Sequence, residues 1–170
     1  MAALREPLRA AEESSGCAVF AYGTLMFPAV WQKVTGEDLP SRPAQLPNCA
    51  ARRLRGQTYP VLVPQGGACT AGVLYEGVSA AALARLDVFE GDFYVRRSRQ
   101  VSCADGARRP AWVYLAALPE SPEILLESWD AESFARDSLE EFLRADSGFA
   151  GAAEAENCAA TRTKTRYDGP

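Results

Sequence analysis

The chain has 170 residues, of which 48% are apolar and 24% charged, and its net charge is −4 at pH 7. This length and composition indicate one globular domain that can bury a sizeable core. No apolar run approaches the roughly 18 residues that a membrane-spanning helix needs. Histidine is absent, which excludes Ser-His-Asp and Cys-His relays and imidazole zinc sites. Proton transfer near neutral pH would therefore depend on a carboxylate or on a tuned Lys, Tyr or Cys.

The two ends of the chain differ from its middle. Segment 1–16 mixes arginines with glutamates, and the apolar h-region of a secretory signal does not follow it, so it has the pattern of neither a transit peptide nor a secretory signal. We expect a flexible arm there. Segment 150–170 has little apolar content and is expected to be disordered. The sequence thus predicts one domain over 17–149 in a cytoplasmic protein.

The cysteines and arginines show no pattern of a metal or nucleic-acid site. The five cysteines are scattered and form no Cys-x-x-Cys pair, so we predict no metal and interpret them as small buried side chains. The arginines form short clusters without a sustained basic face or interleaved aromatic residues, so no nucleic-acid partner is predicted. These clusters are Arg52-Arg53-Arg55, Arg96-Arg97-Arg99 and Arg108-Arg109.

The first predicted elements are a strand and a helix. Residues 17–22 form a short apolar run that ends at Gly23, which is typical of a buried strand followed by a tight loop. A helix is predicted over 27–36, with Pro28 in its first turn, where a missing N–H does no harm. The prolines and polar residues of 40–47 predict an irregular connection.

The middle of the chain is rich in predicted strands. Glycine-containing turns separate several of them, namely Gln65-Gly66-Gly67 and the hairpin turn Asp105-Gly106. The predicted strands are 51–57, 61–64, 71–77, 95–103 and 111–115.

Two further helices complete the predicted elements. One covers 79–90, with Ser79 as its N-cap and Gly91 as its stop. The other runs over 131–146, and its apolar positions recur with the helical period. The members of this stripe are Ala135, Leu139, Phe142 and Leu143. The fold class is α+β, a largely antiparallel sheet or barrel with a few helices.

Glu90 is the first candidate for chemistry. It lies seven residues after Leu83 and four after Leu86, so on a helix the three side chains share one face. That face turns toward the sheet because the leucines must be buried, and Phe89 and Phe93 flank the position. A carboxylate held against apolar side chains loses hydration, which raises its pKa toward neutrality and suits it to proton transfer.

Two other interpretations of Glu90 stay open. A glutamate at the end of a helix is often simply solvated. It could also form an ion pair with Arg96 or Arg97, which would lower its pKa and weaken the acid/base role.

The loop Tyr22-Gly23-Thr24-Leu25 is the second candidate. Glycine permits backbone angles that other residues avoid and lets a ligand approach the main chain. Successive N–H groups in such a turn can form a concave anion site, to which the Thr24 hydroxyl adds a donor. The alternative is an ordinary turn after a strand.

Several segments resemble those of a known family, in unbroken order over about 18–149. They are Val19-Phe20-Ala21-Tyr22-Gly23-Thr24-Leu25-Met26, Tyr59-Pro60-Val61-Leu62-Val63-Pro64, Ala71-Gly72-Val73-Leu74-Tyr75, Leu86-Asp87-Val88-Phe89-Glu90-Gly91-Asp92-Phe93-Tyr94-Val95-Arg96-Arg97, Ala111-Trp112-Val113-Tyr114 and Trp129-Asp130-Ala131-Glu132-Ser133-Phe134. Together they resemble the γ-glutamylcyclotransferase-like superfamily, above all its plant avirulence-induced (AIG2-like) branch.

This resemblance implies a mixed, mostly antiparallel β-barrel with flanking helices and a cavity at one barrel mouth. It implies that the loop from Tyr22 to Leu25 binds the γ-glutamyl end of a small-molecule substrate and that Glu90 accepts a proton. The implied reaction is attack of the substrate's α-amine on its own γ-carbonyl, which releases an amine and 5-oxoproline. Tyr94 and Tyr114 are candidate hydroxyl donors to the substrate, with structural hydrogen bonding as the alternative, and Tyr59 is equally open.

The reaction needs no cofactor, because its nucleophile is part of the substrate and positioning lowers the barrier. The rival hypothesis is a binding or regulatory domain that keeps the fold and the cavity without the reaction. The sequence names no partner protein.

Overall fold

The computed structural model describes residues 16–145 of the chain. Of the predicted flexible arm only the last residue falls within this range. The predicted disordered tail 150–170 and the predicted domain's last residues, 146–149, lie outside the described residues, so these predictions stay predictions.

Within residues 16–145, five strands close a mixed barrel and a sixth strand extends it. The strands are β1 (Cys17–Ala21), β2 (Ser41–Leu54), β3 (Pro60–Val78), β4 (Tyr94–Cys103), β5 (Arg108–Ala116) and β6 (Ile124–Ser128). Their order is β3-β1-β5-β4-β2, and β2 pairs with β3 to close the ring, while β6 pairs with the other side of β2. The pairing of β1 with β5 is parallel and the others are antiparallel. The predicted α+β barrel is confirmed.

Four helices accompany the strands in the described part of the chain. They are α1 (Pro28–Thr35), α2 (Ala80–Glu90), α3 (Ala131–Asp137) and α4 (Leu139–Arg144), with short 3₁₀ turns at Thr24–Met26 and Gly91–Phe93. None of these helices is long and apolar enough to cross a membrane.

The predicted ends of the first two helices are confirmed. Pro28 opens α1, and Gly36 closes it in the left-handed region with φ 72°. The Ser79 hydroxyl accepts the Ala82 N–H at 3.0 Å and caps α2. Gly91, with φ 65°, ends that helix directly after Glu90. The same local signals therefore fix the place of Glu90 in the fold.

The irregular connection predicted for 40–47 is wrong, because residues 41–47 form the first half of β2. They pair with β3 from Tyr75 back to Cys69. Ala44 and Leu46 are buried while Pro43, Gln45 and Pro47 are exposed, so the segment alternates as a strand does. Each proline lacks only its own N–H group for hydrogen bonding to the neighbouring strand. The burial of the alternate side chains keeps the strand in place.

The strands predicted as 61–64 and 71–77 form one strand, β3. The predicted turn at Gln65-Gly66-Gly67 is therefore wrong, because the chain does not reverse direction there. The residues 65–68 instead form a bulge opposite Asn48, where the register passes from Pro47–Cys69 to Cys49–Pro64. Asn48 and Gly67 both have positive φ, 58° and 77°. The Gly67 N–H donates to the Asn48 Oδ1 at 3.2 Å. The turn-forming residues therefore bend the strand without ending it.

The closing helix also differs from the prediction, because it breaks at Ser138 into α3 and α4. The break changes which positions share a face. Phe134 is buried, whereas Ala135, predicted for the apolar stripe, is exposed. The other three predicted members, Leu139, Phe142 and Leu143, do pack against the core. Strand β6 was not predicted, and Leu126 within it is 88% exposed.

Two large apolar clusters hold the described part of the fold together, beside a small one of Leu54, Val61 and Ala116. One fills the barrel and includes Phe20, Leu62 and Leu74. The other joins α1 and α2 to the outside of the barrel, where Trp31 stacks on Tyr75 with ring centroids 3.7 Å apart. Burying such large side chains contributes roughly 1.5–3 kcal/mol each, so the position of α2 against the barrel is strongly held.

Candidate active site

A cavity of about 740 Å³ lies where β1, the start of β3 and the end of α2 meet. It takes in every residue that the sequence predicted for the site. These are Tyr22, Gly23, Thr24, Leu25, Glu90, Tyr94 and Tyr114. Apolar side chains form much of the remaining wall, among them Leu54, Phe89, Phe93 and Phe142. Residues that are far apart in the sequence are thus brought to one concave surface of the size usual for small-molecule sites.

Glu90, the last residue of α2, faces this cavity and is partly buried. Burial raises the pKa of its carboxyl group to about 8, and the negative charge of Asp87 adds to the rise. Leu86, on the same helix face, is fully buried, and Leu83 is partly buried. The apolar surroundings expected from the sequence are therefore present.

The Glu90 carboxylate makes no hydrogen bond or ion pair with residues 16–145. The arginines that could have neutralised it are engaged elsewhere. Arg96 pairs with Asp87 at 3.1 Å, and the Arg97 guanidinium donates to the Arg96 carbonyl oxygen at 3.1 Å. Neither the ion-paired nor the freely solvated glutamate describes this site.

Gly23 serves the loop in a different way from the one expected. Its φ is −126°, so no left-handed conformation demands glycine. Close packing explains the glycine, because a Cβ at position 23 would lie 2.7 Å from the Pro60 Cγ. Glycine lets the loop lie directly against the start of β3, and this contact sets one wall of the cavity.

The main chain after Gly23 turns sharply and leaves donors unused. Thr24–Met26 is a 3₁₀ turn, in which the Met26 N–H donates to the Gly23 carbonyl oxygen at 2.9 Å. The N–H groups of Gly23, Thr24 and Leu25 have no acceptor in the part of the chain that the structure describes, as the first N–H groups of a helical turn commonly do not. The Thr24 hydroxyl has no partner there either.

The Leu25 carbonyl oxygen accepts the Tyr75 hydroxyl at 3.0 Å. This bond ties the turn to the barrel, where Tyr75 itself is stacked on Trp31. The donors of the loop are therefore carried on a rigid support.

Three tyrosines of the cavity bond to the protein itself. The Tyr22 hydroxyl donates to the Tyr114 carbonyl oxygen at 2.7 Å, and the Tyr94 hydroxyl donates to the Pro60 carbonyl oxygen at 2.8 Å. The Tyr114 hydroxyl donates to the Asp87 Oδ1 at 2.7 Å. Burial is the main reason that the pKa of each phenol lies well above its ordinary value. Tyr94 and Tyr114 were candidate hydrogen-bond donors to the substrate. In the structure their hydroxyls instead make hydrogen bonds within the protein, which was the alternative.

Sequence reasoning missed the role of Asp87 and of α4. Asp87 lies three residues before Glu90, the helical spacing that brings two side chains together, and this spacing was a signal that could have been used. Ser138, Glu141 and Phe142 line the cavity from the last helices. No local pattern places those residues there, because only the packing of the chain's end against the barrel brings them in.

Residues 19–131 match the family described as gamma-glutamyl cyclotransferase, AIG2-like. The chain belongs to this family. It is similar to Protein AIG2 B of Arabidopsis thaliana, with 28% identity over 132 residues, 77% of this chain and 78% of the relative. The family resemblance of the sequence is therefore confirmed.

Solved structures agree with the family's fold. The solution structure of an Arabidopsis thaliana protein is 25% identical, with a TM-score of 0.63, and the match covers 78% of this chain and 89% of the other. A gamma-glutamyl cyclotransferase is 18% identical, with a TM-score of 0.54, covering 59% of this chain and 66% of the other. At that identity the likeness concerns the fold alone.

Proposed function

We propose that this member of the gamma-glutamyl cyclotransferase, AIG2-like family cyclises a γ-glutamyl amide to 5-oxoproline and a free amine. One observation carries the proposal. The unpaired, partly buried Glu90 carboxyl group, with a pKa of about 8, lies in one cavity with the loop from Tyr22 to Leu25, here called the Gly23 loop. Such a pKa suits a group that must accept and return a proton near neutral pH.

Glu90 acts twice in the proposed reaction. The α-amine of the substrate arrives protonated, and the Glu90 carboxylate removes one proton so that the nitrogen lone pair can attack the γ-carbonyl carbon. A C–N bond forms and the carbonyl oxygen takes the electron pair. When this tetrahedral intermediate collapses, the Glu90 carboxyl group gives its proton to the leaving nitrogen as the bond to that nitrogen breaks. The regenerated Glu90 carboxylate takes the second proton from the ring nitrogen, which leaves the neutral lactam, and this proton passes to the released amine. Protons and electrons balance without a further reactant.

The Gly23 loop binds an anionic part of the substrate. The unused N–H groups of Gly23, Thr24 and Leu25 suit either the α-carboxylate or the oxygen of the tetrahedral intermediate. Because nucleophile and electrophile belong to one molecule, holding both ends of the glutamyl group is a large part of the catalysis.

A glutamine at position 90 tests the proposal. The purified protein is incubated with a panel of γ-glutamyl amides and peptides, and 5-oxoproline is measured. Wild type releases it from at least one member, and Glu90→Gln does not, because the amide cannot accept the proton. Glu132→Gln, which removes the same charge from an exposed site outside the cavity, keeps wild-type turnover.

Circular dichroism of the three proteins confirms that the fold is kept. Equal turnover by wild type and Glu90→Gln contradicts the mechanism. Binding of a panel member with equal affinity to both proteins, and no product from either, identifies the non-catalytic binding domain instead.

A further inference from the structure

Four tyrosines of the cavity lie within the electrostatic reach of Glu90. Its negative charge contributes to the raised pKa of Tyr22, Tyr59, Tyr94 and Tyr114. Three of the four hydroxyl groups donate to protein acceptors, as described above. The fourth, that of Tyr59, has no acceptor among residues 16–145.

The ring of Tyr59 is nevertheless held in place. Tyr59 directly precedes β3, and its ring packs against the small cluster of Leu54, Val61 and Ala116. Its side chain is partly buried and lines the cavity. A fixed ring with an uncommitted hydroxyl group in a binding cavity can donate to a ligand without first breaking a bond to the protein.

We propose that the Tyr59 hydroxyl donates a hydrogen bond to the γ-carbonyl oxygen of the substrate and stabilises the tetrahedral intermediate, an assignment that rests on the proposed function. Tyr59 and Glu90 line the same cavity, and the charge of Glu90 acts on the Tyr59 hydroxyl, so this hydroxyl is a donor for a carbonyl group that is attacked beside Glu90. The consecutive N–H groups of the Gly23 loop are then left for the α-carboxylate, whose two oxygens match several donors.

The chemistry of the step favours a neutral phenol. During attack the carbonyl π electrons move to the oxygen, so a hydrogen bond to it strengthens from the ground state to the transition state. Burial and the charge of Glu90 both raise the pKa of Tyr59. The hydroxyl therefore keeps its proton over the range in which Glu90 titrates, and it can donate while Glu90 is ionised.

Tyr59→Phe removes this donor and keeps the ring. We expect kcat for 5-oxoproline release to fall roughly 10²-fold, as when one oxyanion donor is lost, while KM stays near the wild-type value. The thermal unfolding midpoint does not change, because the hydroxyl has no protein partner. Tyr94→Phe is the structural comparison, since it removes a bond to the Pro60 carbonyl oxygen and lowers the unfolding midpoint.

The outcomes separate the two proposals. If wild type is active and Tyr59→Phe retains its kcat, the assignment of Tyr59 is overturned and the proposed function stands. A raised KM with an unchanged kcat also overturns it, because the hydroxyl then serves ground-state binding alone. Wild type that is inactive toward every γ-glutamyl compound overturns the proposed function and this assignment with it.

Discussion

Asp87 lies one helical turn before Glu90 on α2, and its negative charge adds to the effect of burial in raising the pKa of Glu90 to about 8. The Asp87 carboxylate is held from two sides, by the Tyr114 hydroxyl at 2.7 Å and by Arg96 at 3.1 Å. Arg96 in turn lies over the ring of Trp112, 4.9 Å from its centroid. Asp87, which is not among the residues that line the cavity, therefore contributes to the proton affinity of the candidate base.

Asp87→Asn tests this relationship. Removing the negative charge favours the ionised form of Glu90, so the pKa of Glu90 falls from about 8 toward its ordinary value. The fall is smaller than the rise that burial causes, because burial is the larger cause. The measurement is the pH dependence of 5-oxoproline release, whose acidic limb moves to lower pH.

Asp105→Asn is the control for this change, because it removes the same charge at the exposed β4–β5 turn and leaves the pH profile in place. An acidic limb that stays in place in Asp87→Asn contradicts the electrostatic role of Asp87.

The raised pKa of Glu90 also predicts how stability depends on pH. The folded protein holds this proton up to about pH 8, whereas the unfolded chain releases it near pH 4.5. The free energy of unfolding therefore decreases as pH rises from about 4.5 to 8. We expect Glu90 to account for a loss of about 2 kcal/mol between pH 5 and pH 9, less than the full linkage value because the side chain is partly exposed.

Urea unfolding at several pH values checks this expectation. Glu90→Gln cannot ionise at position 90, so its free energy of unfolding decreases less than that of wild type over the same interval. Parallel curves for the two proteins would show that Glu90 has an ordinary pKa in the fold.

Local signals in the sequence predicted the parts of the fold that carry Glu90. Ser79 and Gly91 define α2 through a hydrogen-bonded cap and a positive φ, and both can be recognised without tertiary contacts. The hairpin at Asp105-Gly106 is of the same kind, with Gly106 at φ 80°. Where a few neighbouring residues determine the conformation, the sequence suffices.

The errors came from tertiary pairing. Residues 41–47 look irregular because of their prolines, yet β3 pairs with them along their whole length. Ser138 breaks the last helix although the apolar spacing continues past it. In the candidate site, the unused hydroxyl of Tyr59 and the tie between Asp87 and Tyr114 depend on residues distant in sequence. No periodicity reports such contacts.

The contact between Gly23 and Pro60 gives a last prediction. In Gly23→Ala the new methyl group would lie 2.7 Å from the Pro60 Cγ and 2.9 Å from its Cδ. Because the proline ring cannot rotate away, the loop must move, and such overpacking costs roughly 1–3 kcal/mol. Displacement of the Gly23 and Thr24 N–H groups also weakens substrate binding, so KM rises.

Gly66→Ala is the matched control. Its added Cβ would meet no atom within 4 Å, and Gly66 does not have a positive φ, so urea unfolding and KM stay at wild-type values. A Gly23→Ala protein with the same free energy of unfolding as Gly66→Ala would mean that the loop and the start of β3 can move apart without loss of stability. In that case the close approach of Gly23 to Pro60 would not be what positions the main-chain donors beside Glu90.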